Sequence, residues 1–264
     1  RKVADLLRRS ERVIYCWAMG LTQHVHATDT IQEVINVALL RGHVGRPGAG
    51  LCPVRGHSNV QGDRTMGIYE KPTETFLAGI DKALGIRSPR AHGYDTVEAI
   101  QAMAAGRVDV FVALGGNFLS AAPDTAFTAD ALRRCRITVH VATKLNRSHL
   151  VTGQVGLILP CLGRTEIDLQ NGEAQFVTVE DSMSMVHASR GHLPPASAQL
   201  LSEPAIIARL AAATLKDRVA IPWTELAGDY RKIRAQISAA IPGFERFEER
   251  VAAPRGFKLP NDAA

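Results

Sequence analysis

Val108-Asp-Val-Phe-Val-Ala-Leu114, running into Gly115-Gly116-Asn117, decides the architecture of this 264-residue chain. Seven residues dominated by β-branched and other apolar side chains read as a buried strand, and the two glycines that follow read as a tight strand-to-helix turn. Pro123 and Asp124 then open a helix carrying Phe127, Ala131 and Leu132, and Ile137-Thr-Val-His-Val141 is the next strand. Val155-Gly-Leu-Ile-Leu159, cut off by Pro160, is a third. Near-continuous apolar strands separated by short helices indicate a parallel sheet with helices on both faces. The fold expected is therefore α/β, Rossmann-like and mostly parallel.

The flanks extend this pattern. A leading helix around Val3–Arg9 precedes a short strand, Arg12–Trp17, and a polar turn, Ala18–Gln23. Thr30 and Glu33 have capping-box spacing before an apolar helical stripe that ends at Gly42. Downstream, Phe176–Val179 and Met183–His187 suggest a hairpin. Ser202-Glu-Pro204 opens a helix to about Leu215, and a single helix is expected from Trp223 to about Ala239. The tail after Pro254 is expected to be loosely ordered.

Composition narrows the function classes. Apolar residues make up 46% and charged residues 22% of the chain, ordinary for a globular protein, so a disordered or coiled-coil chain is set aside. The net charge of +5 suits an anionic ligand but is too dispersed for nucleic acid. No stretch approaches the ~20 apolar residues of a membrane helix. The four cysteines form no CxxC pair, so no metal site is expected within the chain, and reduced core thiols of a cytoplasmic protein are the reading. An opening Arg1 suggests a piece of something longer.

Parallel sheets bind ligands outside the carboxyl ends of their strands. The loops Ala18–Gln23, Gly115–Ser120, Ala142–Arg147 and Pro160–Thr165 occupy such positions, and Lys144, Arg147 and Arg164 add cations there. Glycine there lets backbone amides approach a pyrophosphate, although Gly115-Gly116-Asn117 also reads as a plain turn.

Residues 43–67 are distinct, with Gly45, Gly48, Gly50, Gly56, Gly62 and Gly67 interleaved with Arg46, Arg55 and Arg64. So long a segment is read as an ordered ligand-binding loop. The stretch Leu39-Leu-Arg-Gly-His-Val-Gly45-Arg-Pro47-Gly48-Ala-Gly50-Leu-Cys-Pro53-Val-Arg55-Gly56-His-Ser-Asn59-Val-Gln61-Gly62 resembles the molybdopterin oxidoreductases, and within them the formate-dehydrogenase-like alpha subunits. Met19-Gly20-Leu-Thr22-Gln23, Leu114-Gly-Gly116-Asn117 and Leu159-Pro160 agree in the same order, so the resemblance covers about Val13 to Leu215.

That resemblance implies a molybdenum (or tungsten) ion held between two molybdopterin guanine dinucleotides, with formate or a similar oxyanion as the small-molecule substrate. Gly20, Thr22 and Gln23 would line a pterin or phosphate. Asn59 and Gln61, beside Gly62, would meet a pterin edge or brace the loop. Gly115, Gly116, Asn117 and Lys144 would face the guanosine side, and Asp168 or Asp63 a guanine. Arg55 would lie beside the metal and hold a carboxylate with its guanidinium fork; pairing with a phosphate is the other reading. His57 stands where such dehydrogenases commonly carry glutamine, as a proton shuttle or a plain hydrogen-bond partner. The metal-ligating residue, the 4Fe-4S cysteines and a closing β-barrel would lie outside this chain, which alone would be inactive. The expected organisation is a pterin-side part (1–105), a guanosine-side α/β unit (106–220) and a C-terminal helix and tail (221–264). A non-catalytic nucleotide-binding or scaffold module is the alternative, although no G-x-G-x-x-G follows a strand.

Overall fold

Ile14–Trp17 forms strand β1, following helix α1 (Lys2–Arg9), and is succeeded by α2 (Met19–Thr22), α3 (Ala27–Leu40) and β2 (Gly50–Pro53). The structure, a computed structural model, describes residues 2–54, 56–216 and 218–260. The chain falls into two units, Arg1–Val60 and Gln61–Ala264. In the first, β1 and β2 pair in parallel, Ile14 opposite Gly50 and Trp17 opposite Pro53.

Two local expectations fail here. Ala18–Gln23 is not a simple turn, because Met19–Thr22 closes one helical turn. Thr30 is not the N-cap of α3: the helix begins at Ala27, and Thr30 donates its hydroxyl back to the His26 carbonyl at 2.9 Å. A threonine inside a first turn satisfies itself this way without interrupting the helix. The C-terminus behaves as the sequence suggested. Gly42 takes a φ of 64°, its amide bonds to Leu39 O and that of His43 to Ala38 O, the paired bonds of a Schellman motif. His43 is thereby carried into the interior, fully buried, with its Nδ1 2.9 Å from the Tyr15 hydroxyl.

Helix α4 (Val60–Thr65) spans the division, so residues 43–67 hold two short regular elements, β2 and α4, rather than an unbroken loop. The second unit continues with α5 (Glu74–Leu84), α6 (Thr96–Ala104), β3 (Val110–Leu114), α7 (Phe118–Ala121), α8 (Thr125–Arg133), β4 (Ile137–Ala142) and a 3-10 turn at Arg147–Leu150. Then follow β5 (Val155–Pro160), β6 (Leu169–Gln170), β7 (Glu173–Ala174), β8 (Val177–Glu180), β9 (Met185–Ser189) and α9 (Glu203–Leu215). The last elements are α10 (Trp223–Gly228), α11 (Tyr230–Ala240), α12 (Phe247–Val251) and β10 (Phe257–Lys258).

The fold is α/β with parallel sheets flanked by helices, as expected. Strands β3, β4 and β5 form a parallel sheet with β4 central. One face is closed by α6, α7 and α8, which bury Ile100, Met103, Leu119, Leu132 and Cys135 over Phe111. Helix α9 lines the other face more loosely. Ile206, Ile207 and Leu210 stand across a groove of about 820 Å³ from Val112, Leu157 and Leu159.

The antiparallel pair β8–β9 confirms the hairpin. Two expectations near the C-terminus are corrected. The single helix from Trp223 is two, because Asp229 leaves helical geometry (φ −154°, ψ 106°) and accepts from the Arg231 amide as the cap of α11. The tail through residue 260 is not loose: Phe257 and Leu259 are buried with Phe244 and Phe247, and β10 pairs with β9, while residues 261–264 lie outside the described residues. Among the described residues no helix is long and apolar enough to cross a membrane.

Candidate functional site

The carboxyl edge of the β3–β4–β5 sheet is where the second unit offers its backbone. Gly115 and Gly116 lie at φ 71° and 75°, and nothing stands within 4 Å of where either Cβ would be. Two successive residues in this conformation turn the chain sharply, with the Gly115 amide donating to Val141 O at 2.8 Å, and an L-residue here costs about 1–2 kcal/mol. Asn117 then leads into α7.

The 3-10 turn at Arg147–Leu150 holds this edge in place. Asn146 Nδ2 donates to Gly116 O at 2.8 Å, and Ser148 Oγ donates to Asn117 Oδ1 at 3.0 Å. Ser148 Oγ also accepts the Leu119 amide at 2.9 Å. Asn146 caps its own turn through the Ser148 amide. The Gly115-Gly116-Asn117 bend is thus pinned by a loop about thirty residues away. Ser148→Ala removes the hydroxyl from a buried position and leaves the Leu119 amide unsatisfied, a loss of about 1–3 kcal/mol. Thermal denaturation of Ser148→Ala against wild type measures it.

Beneath the edge lie two buried histidines. His140 on β4 and His149 have ring centroids 5.0 Å apart. His149 Nδ1 lies 2.9 Å from the Asn146 amide nitrogen and 3.2 Å from the Asn146 carbonyl oxygen, and the Nε2 atoms of both rings are buried without a hydrogen-bond partner. Burial, and then the neighbouring His149, hold the His140 imidazole below the ordinary histidine range, keeping it neutral near pH 7.

Lys144 is exposed in the loop after β4, where the sequence placed it. After β5, Glu166 accepts the Gly163 and Ala196 amides at 2.5 and 2.6 Å, which hold its carboxyl below the ordinary range and tie the Pro160–Thr165 loop down. Asp168 is engaged internally. It accepts the Tyr230 hydroxyl at 2.5 Å and Gln170 Nε2 at 2.6 Å, and Ser202 Oγ lies 2.7 Å from the same tyrosine oxygen. Burial and this carboxylate push the Tyr230 phenol up, so it stays a donor.

The remaining candidates lie apart. In the first unit Gly20 and Thr22 are exposed on α2, at the carboxyl end of β1, and Gln23 Nε2 reaches Met19 Sδ at 3.5 Å. His57 is exposed and Asn59 half-buried. Arg55 falls outside the described residues. In the second unit Gly62 is buried in α4, and Gln61 Nε2 donates to Glu180 Oε1 at 2.9 Å and to Ser184 Oγ at 3.2 Å. Glu180 is itself buried and accepts Thr65 Oγ1 at 2.6 Å. The amide of Gln61 therefore braces α4 against the β8–β9 hairpin.

Sequence reasoning missed Asn146, Ser148, His140 and His149. Asn146-Arg-Ser-His149 has the hydroxyl and amide spacing of a capping turn, which was the available signal. Among the described residues, no group of three or more His, Cys, Asp or Glu side chains is arranged to hold a metal ion. What the edge can offer an anion is the left-handed backbone bend at Gly116, with the exposed Lys144 cation in the loop after the neighbouring strand β4.

Comparison with known proteins supplies the wider setting. An "Uncharacterized oxidoreductase" of Mycobacterium tuberculosis is 60% identical over 261 residues, 99% of this chain and 34% of that protein. The Escherichia coli "Protein YdeP" is 49% identical over 263 residues, all of this chain and 34% of that protein. A "Putative formate dehydrogenase" of Staphylococcus aureus is 32% identical over 115 residues, 40% of this chain and 12% of that protein. The chain spans about a third of the length of the first two. No protein-family model matches it.

Proposed function

We propose that this chain is the cofactor-binding portion of a molybdopterin-dependent oxidoreductase of the formate-dehydrogenase-like kind. The observation that carries the reading is the open, doubly left-handed Gly115-Gly116 edge pinned by Asn146 and Ser148 at the carboxyl end of a parallel sheet. The partial likeness to a putative formate dehydrogenase points the same way. Such an edge fits a pyrophosphate: the ligand is anionic, the Gly116 bend is held in a fixed conformation, and the exposed Lys144 adds a positive charge in the neighbouring loop.

In this reading Gly115, Gly116, Asn117 and Lys144 hold the phosphates of one guanine dinucleotide, and Asp168, fixed by Tyr230 and Gln170, uses its remaining lone pairs for the guanine. Gly20, Thr22 and Gln23 line a pterin or phosphate, with Asn59 nearby in sequence to Gln61 and Gly62, which fasten their segment. When bound, the molybdenum–pterin group supplies the acceptor for the two electrons released as formate becomes carbon dioxide and a proton. Arg55 holds the formate carboxylate bidentately and orients its C–H bond, and His57 accepts the proton near neutral pH.

Formate-dependent dye reduction by the purified full-length protein tests this. Arg55→Lys keeps the charge but loses the fork, and is expected to retain molybdenum while turnover falls about 10²-fold or more. Undiminished turnover in Arg55→Lys removes the arginine from the chemistry.

A further inference from the structure

Cys16 and Cys52 face each other across the parallel β1–β2 ladder, and nothing in the proposed cofactor chemistry uses either. They are register partners, with Tyr15 opposite Leu51 before them and Trp17 opposite Pro53 after. The ladder continues beyond both ends, through the Gly50 amide on Val13 O at 3.0 Å and the Val54 amide on Trp17 O at 2.7 Å, so the backbone holds the pair in place. Adjacent strands run about 4.8 Å apart, and register partners on neighbouring strands project to the same face. That spacing lies within the Cα separation of about 4.4–6.8 Å that a disulfide spans. Both residues are exposed, and both are free thiols. Cys135 and Cys161, by contrast, are buried.

We infer that Cys16 and Cys52 form a redox-active dithiol that exchanges with low-molecular-weight disulfides to give a reversible Cys16–Cys52 bridge. Exposure of both residues and their fixed register carry the inference. Desolvation, and then the neighbouring Cys52 side chain, hold the Cys16 thiol above the ordinary range.

The exchange balances in two steps. The Cys52 thiolate attacks one sulfur of the external disulfide R–S–S–R, breaking that bond, forming a mixed disulfide and releasing RS⁻, which takes up the proton Cys52 gave up. Cys16, deprotonating in turn, attacks the Cys52 sulfur and expels the second RS⁻, which leaves as RSH. The protein loses two hydrogens and two electrons, and R–S–S–R gains them as two RSH. The bridge fastens β1 to the strand that leads into residue 55. It stands independently of the proposed cofactor.

The test treats the full chain with oxidised glutathione under non-denaturing conditions and reads intact mass and tryptic peptides. The expected product is lighter by two hydrogens, with the Cys16 and Cys52 peptides linked and the link reversed by excess reduced thiol. Cys16→Ser is expected to stop at a glutathione adduct on Cys52, and Cys52→Ser to stop at a more slowly formed adduct on Cys16. Wild-type protein that carries stable adducts on both cysteines without a link, or that remains fully reduced under oxidant sufficient to modify the serine variants, overturns the proposal. So does a link formed instead through Cys135 or Cys161.

Discussion

Glu248→Ala is expected to destabilise the second unit by about 2–3 kcal/mol, because it takes the carboxylate from a largely buried cation. The Arg234 side chain is only 6% exposed while that of Glu248 is 48% exposed. The guanidinium meets Glu248 through Nε and, at 3.1 Å, through Nη2. It also donates to Phe176 O at 3.2 Å and lies 3.9 Å from the Phe176 ring centre. Removing the carboxylate leaves a buried cation with a carbonyl and a ring for partners. Removing the arginine instead frees a carboxylate that water already reaches, so Arg234→Met, which keeps most of the packing volume, should cost only about 1–2 kcal/mol. Denaturant unfolding of both variants checks the asymmetry. Equal losses would mean that the pair acts as an ordinary surface contact.

Gly116→Val separates ligand binding from folding. The left-handed conformation costs a valine about 1–2 kcal/mol, and nothing stands within 4 Å of where its Cβ would be, so the protein should fold with its melting temperature lowered by several degrees. The valine methyl groups, however, cover the amide surface that a pyrophosphate would use. Cofactor retained through purification, measured as molybdenum per chain, is expected to fall at least tenfold, the equivalent of roughly 1.4 kcal/mol. Unchanged molybdenum content would exclude this edge from the phosphate contacts. Loss of fold alongside loss of metal would leave a lower metal content in the folded fraction after separation, and that fraction is the one to assay.

The sheet was legible in the sequence because β3, β4 and β5 are short β-branched runs with glycine or proline at their ends, signals that depend only on neighbours along the chain. Helix α9 was legible for the same reason, from Ser202 and Pro204. What escaped depends on contacts distant in sequence. Strand β2 is four residues, Gly-Leu-Cys-Pro, with no alternating pattern, and it exists because β1 offers a ladder to it. The ordered tail is held by Phe244 and Phe247 rather than by any propensity of its own. Asp229 divided α10 from α11 through a cap that a helical stripe conceals.

The candidate site divides similarly. Gly115, Gly116 and Asn117 could be placed from a strand-then-glycine pattern, and the structure puts them at the sheet edge. Their anchors, Asn146 and Ser148, lie about thirty residues on and became visible only when β4 placed its following turn alongside. Gln61 is a caution in the other direction. Its amide suits a heterocycle edge, yet buried Glu180 already receives it, because an unpaired buried carboxylate would cost more than a lost ligand contact gains.

The central claim is that this chain exists to hold a molybdopterin guanine dinucleotide. Metal and pterin analysis of the full-length protein, purified without chelators from cells supplied with molybdate and tungstate, tests it most directly. The account predicts molybdenum or tungsten near stoichiometric with protein, accompanied by pterin and guanine nucleotide after denaturation. Folded protein that carries neither metal nor pterin would contradict it.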